Sequence, residues 1–218
     1  MIKGIIFDSD GVLVETDEYH YLAWKTIAEQ EHIDFDRTIN NQLRGISRAE
    51  SLEIILKRAS KTYTEDEKLA LSNRKNEIYL NYIRNLSSDV LNPEVVSTLK
   101  KLKAAGIKVA VGSSSVSTEL VLEKLNIKDL FDVVVTGKDV MRSKPEADIF
   151  LLAAAKMGLD PKNILIVEDG VSGILAGVKG GFVTCGIKEA ANYYQTQHAI
   201  TTFADVLAVV REINKSVD

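Results

Sequence analysis

The chain has one cysteine, Cys185, in 218 residues. A single thiol closes no intramolecular disulfide, and neither a CxxC pair nor a Cys/His zinc spacing occurs, so Cys185 is expected to be a buried core thiol. Excess charge is also lacking: 27 basic side chains face 31 acidic ones, for a formal net charge of -4. That balance offers no footprint for nucleic acid or an anionic membrane surface, while leaving local basic residues to bind a small anion. No apolar run approaches the roughly 20 residues of a membrane-spanning helix, and there are no internal repeats or low-complexity tracts. A soluble cytoplasmic protein is the default expectation. What the chain does have is 45% hydrophobic residues, enough at this length for a well-buried interior without staples.

Hydrophobic periodicity divides the chain in two. The apolar run Ile2 to Phe7 reads as a buried strand. Residues 17 to 31 and 47 to 59 then read as helices, and Thr64-Glu65-Asp66-Glu67 forms a capping box opening a third toward residue 85. From Pro93 onward strand and helix alternate: helix 93 to 105, strand Ile107 to Val111, helix 117 to 125, strand Val133 to Thr136 and helix 146 to 157. Strand Ile164 to Glu168, helix 172 to 180, strand Phe182 to Gly186 and a terminal amphipathic helix at 203 to 214 follow. Apolar strands separated by amphipathic helices predict an α/β fold with a doubly wound parallel sheet covered on both faces. Residues 1–14 and 89–218 are expected to form that core. Residues 15–88 are expected to form an inserted helical domain, tethered by two crossings and able to close over a site.

In open parallel sheets ligands collect beyond the carboxyl ends of the strands, and four polar clusters fall there. Asp8 and Asp10 flank Ser9 at the mouth of the first strand, before a bend at Gly11. A cation between them would relieve their repulsion, leaving one carboxylate as nucleophile and the other to pass protons; ordinary turn-forming Asp residues are the alternative, and alone the pair favours chemistry only slightly. Ser113, Ser114 and Ser115 follow a strand at the start of a helix, where hydroxyls and backbone N–H groups cradle phosphate oxygens or simply cap the helix. Lys144, in Arg142-Ser143-Lys144-Pro145, offers a compact ammonium to a carboxylate and a phosphoryl oxygen, or is a solvated loop residue. Its bond to Pro145 is a candidate for the cis form. Glu168 and Asp169 supply hard oxygen donors of the kind that hold Mg²⁺ together with a substrate phosphate. The four clusters together furnish nucleophile, acid/base, anion cradle, cation and metal site, which is what phosphoryl transfer requires. Asp8 would attack phosphorus and Asp10 would protonate the leaving oxygen.

The DxDGV at Asp8 to Val12, the serine after a hydrophobic strand, Lys144-Pro145 and Glu168-Asp169 resemble the four motifs of the haloacid dehalogenase superfamily, across essentially the whole chain. The resemblance implies a Rossmann-like core with a helical cap between the first two motifs. It implies Asp8 as the acyl-phosphate nucleophile, Asp10 as general acid/base, and Ser113, Ser114 and Lys144 around the transferring phosphate. Mg²⁺ would be held by Asp8, the Asp10 backbone carbonyl and Asp169, with Glu168 in support. Within the superfamily, Glu18-Tyr19-His20, Ala23-Trp24-Lys25, Arg44-Gly45-Ile46-Ser47-Arg48, Ser51-Leu52 and Arg74-Lys75-Asn76 resemble the β-phosphoglucomutase subgroup.

That subgroup implies a small phosphorylated sugar as partner. The implied reaction interconverts β-glucose 1-phosphate and glucose 6-phosphate, with β-glucose 1,6-bisphosphate as intermediate and activator. Thr16, His20 and Trp24 follow one another at i, i+4 on one helix face that begins beside Asp10. By resemblance His20 and Lys75 couple cap closure to Asp10, Trp24 and the loop Arg44, Gly45, Ile46, Ser47, Arg48, with Ser51, hold the sugar, and Arg48 grips the distal phosphate. After Ser115 the subgroup has Lys-Asn where this chain has Val116-Ser117, which removes a cation and an amide from the corner of the non-transferring phosphate. Ser9 is polar where the subgroup is apolar, and Glu15 replaces an Asp. These departures keep an alternative open, a sugar-phosphate phosphatase with a mutase-like cap. A monomer is expected.

Overall fold

The computed structural model describes residues 1–215. Its helices are α1 (Asp17–Gln30), α2 (Arg37–Asn41), α3 (Arg48–Leu56), α4 (Glu65–Arg84), α5 (Val95–Ala104), α6 (Thr118–Lys124), α7 (Asp148–Met157), α8 (Val171–Lys179) and α9 (Val206–Lys215). The strands are β1 (Gly4–Phe7), β2 (Lys108–Gly112), β3 (Val133–Val135), β4 (Ile164–Glu168), β5 (Val183–Gly186) and β6 (His198–Ala199). They form one parallel sheet in the order β3-β2-β1-β4-β5-β6, the expected doubly wound arrangement. Side chains alternate across β1: Ile5 and Phe7 enter one core with Leu99, Phe203 and Val206, while Ile6 enters the other with Phe150, Ala153 and Ala176. The Phe7 and Phe203 rings lie 5.1 Å apart, and removing such a ring costs about 3–5 kcal/mol. Cys185 is buried on β5. No helix among the described residues is long and apolar enough to cross a membrane.

Helices α1, α3 and α4 pack around an apolar cluster of their own, which includes Trp24, Ile27, Leu52, Ile55 and Leu71 and takes Leu43 from the stretch after α2. Capping boxes start two of these helices, Ser47 with Glu50 before α3 and Thr64 with Glu67 before α4. Two elements have no counterpart in the sequence reading. Helix α2 is a single capped turn of 5 residues, held by Asp36 accepting from the Ile39 N–H, and β6 has 2 residues; neither is long enough to show a period. The terminal helix begins as a 3-10 turn at Phe203–Asp205 before α9 proper.

Register positions the polar clusters. Phe7 pairs with Val111 on one side and Val167 on the other. One residue further along each strand, Asp8, Gly112 and Glu168 therefore stand level across three adjacent strands.

Candidate active site

One ammonium ties those three strand ends together. Lys144 Nζ donates to Asp8 Oδ1 at 2.6 Å, to Glu168 Oε1 at 2.5 Å and to the Gly112 carbonyl at 2.9 Å, all in a buried setting. The Lys144–Pro145 bond is cis. Burial works against a charged lysine, but Asp8 and Glu168 outweigh it and raise Lys144 above its ordinary value, so the ammonium persists. Asp8, Glu168 and Asp169 each present a carboxylate oxygen within 4.8 Å of the others. Burial pushes Asp8 up to about 8 against the pull of Lys144, with Glu168 and Asp10 adding to the push. Burial and the neighbouring carboxylates of Asp17, Asp8 and Glu168 likewise hold Asp169 well above the usual carboxylate range. These three crowded hard-oxygen donors face the Lys144 ammonium and an Arg44 guanidinium shared with Asp17, and such a donor set suits a small divalent cation. The backbone permits the crowding: Gly11 adopts φ +80, and a Cβ there would sit 2.1 Å from Asp169 Oδ2.

The second aspartate faces the helical block. Thr16 Oγ1 donates to Asp10 Oδ1, and His20 Nε2 lies 3.6 Å from Asp10 Oδ2. Lys75 Nζ, from α4, stands 2.8 Å from His20 Nδ1. If that ammonium donates, Nδ1 is the acceptor and Nε2 carries the hydrogen toward Asp10. Burial and Lys75 together lower His20 despite the pull of Asp10, which favours a neutral ring. Burial would raise Asp10, but His20, Thr16 and Lys75 outweigh it and hold its carboxyl below the usual range. The two aspartates are thus pushed in opposite directions, Asp10 down and Asp8 up. Burial also brings Lys75 down to about 7, its nitrogen lying 5.0 Å from the rings of both Trp24 and Tyr79.

Between core and block lies a cavity of about 740 Å³. Asp8, Asp10, His20, Trp24, Lys75 and Asp169 border it, as do Ser113 to Ser117 and the stretch Arg44 to Ser51. Thr16, Lys144 and Glu168 are fully buried behind its wall; Lys144 reaches Asp8 from beneath.

Several polar groups there are already engaged. Ser113 Oγ accepts from Thr118 Oγ1 at 2.8 Å and from the Ser115 N–H at 3.2 Å. Ser114 Oγ donates to the Gly45 carbonyl at 2.7 Å, a core-to-block contact. Ser47 caps α3, Ser51 donates to the Ser47 carbonyl, and Ile46 packs against the block's apolar cluster. Arg44 does not point freely at the cavity: its guanidinium bridges Asp17 at 3.1 Å and Asp169 at 3.4 Å. Arg48 differs, for its Nη1 is buried with no hydrogen-bond partner and burial lowers its pKa. At the altered corner, Val116 is half-buried and Ser117 buried, its N–H donating to Ser115 Oγ at 3.4 Å.

Two residues of this site escaped the sequence reading. Tyr79 stacks on His20 with ring centroids 4.0 Å apart; its place one helical turn after Lys75 is the signal that would have found it. Asp17, the partner of Arg44, stands in the first turn of α1, where an acid is commonplace and carries no signal of a distant partner.

The chain belongs to the haloacid dehalogenase-like hydrolase family, which it matches over residues 2–181. It is 43% identical over 188 residues to the β-phosphoglucomutase of Bacillus subtilis, a match covering 85% of this chain and 83% of that protein. A crystal structure of β-phosphoglucomutase from Clostridium difficile superposes with a TM-score of 0.93 at 31% identity, covering 100% of this chain and 99% of the other. A fructose-1-phosphate phosphatase from Escherichia coli is 28% identical over 82% of this chain and 92% of its own length.

Proposed function

We propose that the protein is a Mg²⁺-dependent β-phosphoglucomutase, interconverting β-glucose 1-phosphate and glucose 6-phosphate through phospho-Asp8 and β-glucose 1,6-bisphosphate. Residues 15–88 act as a cap over a core of residues 1–14 and 89–218. The observation that carries this reading is the line of contacts from Lys75 through His20 to Asp10, joined by Thr16, which links the block's polar face to the aspartate next to Asp8. The likeness to the Bacillus subtilis mutase supports it.

Starting from phospho-Asp8, a sugar hydroxyl oxygen forms a bond to phosphorus as the Asp8 Oδ–P bond breaks, and the ionised Asp10 takes the hydroxyl proton. The resulting bisphosphate turns over in the cavity. Asp8 then attacks the other phosphorus, the sugar P–O bond breaks, and Asp10 returns its proton to the leaving oxygen. His20 holds the proton-bearing nitrogen toward Asp10 throughout, and Arg48, the guanidinium without a protein partner for Nη1, grips the phosphate that is not reacting. Ser113 and Ser114 line the transferring phosphate, and Lys144 keeps Asp8 in place from behind. Mg²⁺ bound by Asp8 and Asp169, with Glu168 in support, would offset their repulsion, favour the ionised form of Asp8 and draw charge from the phosphoryl oxygens.

The test supplies β-glucose 1-phosphate, Mg²⁺ and a trace of the bisphosphate, and follows glucose 6-phosphate and free phosphate separately. Isomer should dominate; phosphate without isomer refutes the mutase. A sugar-phosphate phosphatase is the second reading, favoured by the uncharged Val116-Ser117 corner and by the likeness to a fructose-1-phosphate phosphatase. It predicts rapid phosphate release from several sugar monophosphates.

A further inference from the structure

Lys75 and Lys144 are the two buried lysines among the described residues, and they are held in opposite ways. Lys144 sits behind the cavity wall, locked to Asp8 and Glu168, whose carboxylates keep its ammonium charged. Lys75 borders the cavity, and no other lysine among the described residues does so. Its nitrogen has no carboxylate partner there; it stands 2.8 Å from His20 Nδ1 and 5.0 Å from the ring centroids of Trp24 and Tyr79. Burial brings it down to about 7, and Arg48 pushes the same way against the pull of Asp10. Near neutral pH this nitrogen therefore spends much of its time as a free amine with its lone pair open. An apolar setting and a nearby cation are the two conditions that make a lysine a nucleophile toward carbonyl carbon. The same cavity carries a phosphate seat, for Arg48 also borders it and keeps a buried Nη1 without a hydrogen-bond partner.

We propose that Lys75 is a modification site for phosphorylated aldehydes: it forms a reversible imine with them, and the adduct silences the contact between Lys75 and His20. The proposal rests on the reading of the cavity as a sugar-phosphate site, and holds for a mutase or a phosphatase alike. Arg48 seats the phosphate and so holds the aldehyde near the amine at high effective concentration. The nitrogen lone pair forms a bond to the aldehyde carbon as the carbonyl π pair moves onto oxygen. His20 Nδ1, already in contact with the nitrogen, takes a proton from it and returns that proton to the departing oxygen. Both amine hydrogens leave with the oxygen as water while the C=N bond forms. No oxidant or reductant is consumed, and water reverses the step. Glucose 6-phosphate presents such a carbonyl when its ring opens. β-Glucose 1-phosphate and the bisphosphate do not, because phosphate locks the anomeric carbon. The brake therefore acts from the glucose 6-phosphate side of the reaction alone.

Reductive labelling tests the site without any variant. The wild-type protein with Mg²⁺ is incubated with glyceraldehyde 3-phosphate and cyanoborohydride, a hydride donor that fixes an imine as a secondary amine, and the labelled lysines are mapped by mass spectrometry. Lys75 should be labelled about tenfold faster than any exposed lysine, with turnover lost in step. The carbonyl-free analogue 1,5-anhydroglucitol 6-phosphate should suppress that label, and Arg48→Ala should lower it by about tenfold. Label on exposed lysines with Lys75 untouched overturns the proposal. So does a Lys75 label that neither the analogue nor Arg48→Ala reduces, or one that leaves turnover intact. A protein that takes the Lys75 label yet yields phosphate and no isomer sustains the amine and refutes the mutase; one that isomerises with Lys75 unlabelled refutes the amine alone.

Discussion

In a Lys75→Met variant, a buried amine gives way to an apolar chain of similar length. Lys75 forms no ion pair with a carboxylate among the described residues, and its neighbours are His20 Nδ1 at 2.8 Å and the faces of Trp24 and Tyr79. Burial lowers the amine from 10.5 to about 7, against the pull of Asp10 and with a push from Arg48. At about 1.4 kcal/mol per pH unit, burying this lysine costs the fold about 4 kcal/mol at neutral pH. The His20 contact and the two ring contacts return about 2 kcal/mol. The methionine variant is thus expected to gain about 2 kcal/mol, or about 4–8 °C in Tm for a chain of this size. The sign of the pH dependence follows. Between pH 7 and 10.5 the unfolded chain holds a proton that the folded chain has released, so wild-type stability climbs with pH across that window. The variant lacks that climb, and the gap between the two narrows toward pH 10.5. Turnover should fall by about 10²-fold, because His20 loses the partner that fixes which nitrogen faces Asp10. Thermal unfolding at about pH 7 and about pH 9.5, with an isomerase assay alongside, measures all three effects. A variant less stable than wild type at neutral pH, or a gap of equal size at both pH values, refutes the reasoning.

Lys144→Met should destabilise the fold by about 3–5 kcal/mol, because it strands two buried carboxylates without a countercharge; an unchanged urea midpoint would contradict that. Mg²⁺ at about 100 times its Kd should stabilise the protein by about 2.7 kcal/mol, with most of the shift missing in Asp169→Asn, and a midpoint that ignores Mg²⁺ removes the carboxylate cluster as a cation site. Arg48→Ala should raise KM for the sugar phosphate by about 10–100-fold while leaving Tm in place, which steady-state kinetics and calorimetry check together.

The core was legible because its strands are short apolar runs bounded by Gly, Pro and polar turns, and because each cluster of functional residues sits at a strand end. Ile164 to Glu168 is the same in the reading and in the fold, and the capping box at Thr64 marks the start of α4. What sequence left open depends on partners distant along the chain. Arg44 read as a sugar contact, yet its guanidinium bridges Asp17 and Asp169, and no local pattern reports a pair separated by more than a hundred residues. Lys144 was expected to serve a nucleophile carboxylate and a phosphoryl oxygen, and its nitrogen does meet Asp8; that it also takes Glu168 and the Gly112 carbonyl is set by strands far apart in the chain.

The single ammonium of Lys144 carries a consequence for the order in which the protein becomes competent. Its acceptors belong to β1, β2 and β4, and the pairing of Gly4 with Ile164 closes a loop that spans most of the chain. Such a long closure is among the slower events of folding. A nascent chain that has emerged only as far as β3 already carries Asp8, Asp10 and the whole helical block. It still lacks the Glu168 that shares the lysine and the Asp169 that completes the carboxylate cluster. Partly folded or truncated chains therefore have no weaker version of the site to offer the cell's sugar phosphates: reactivity switches on only when the last of those strands docks.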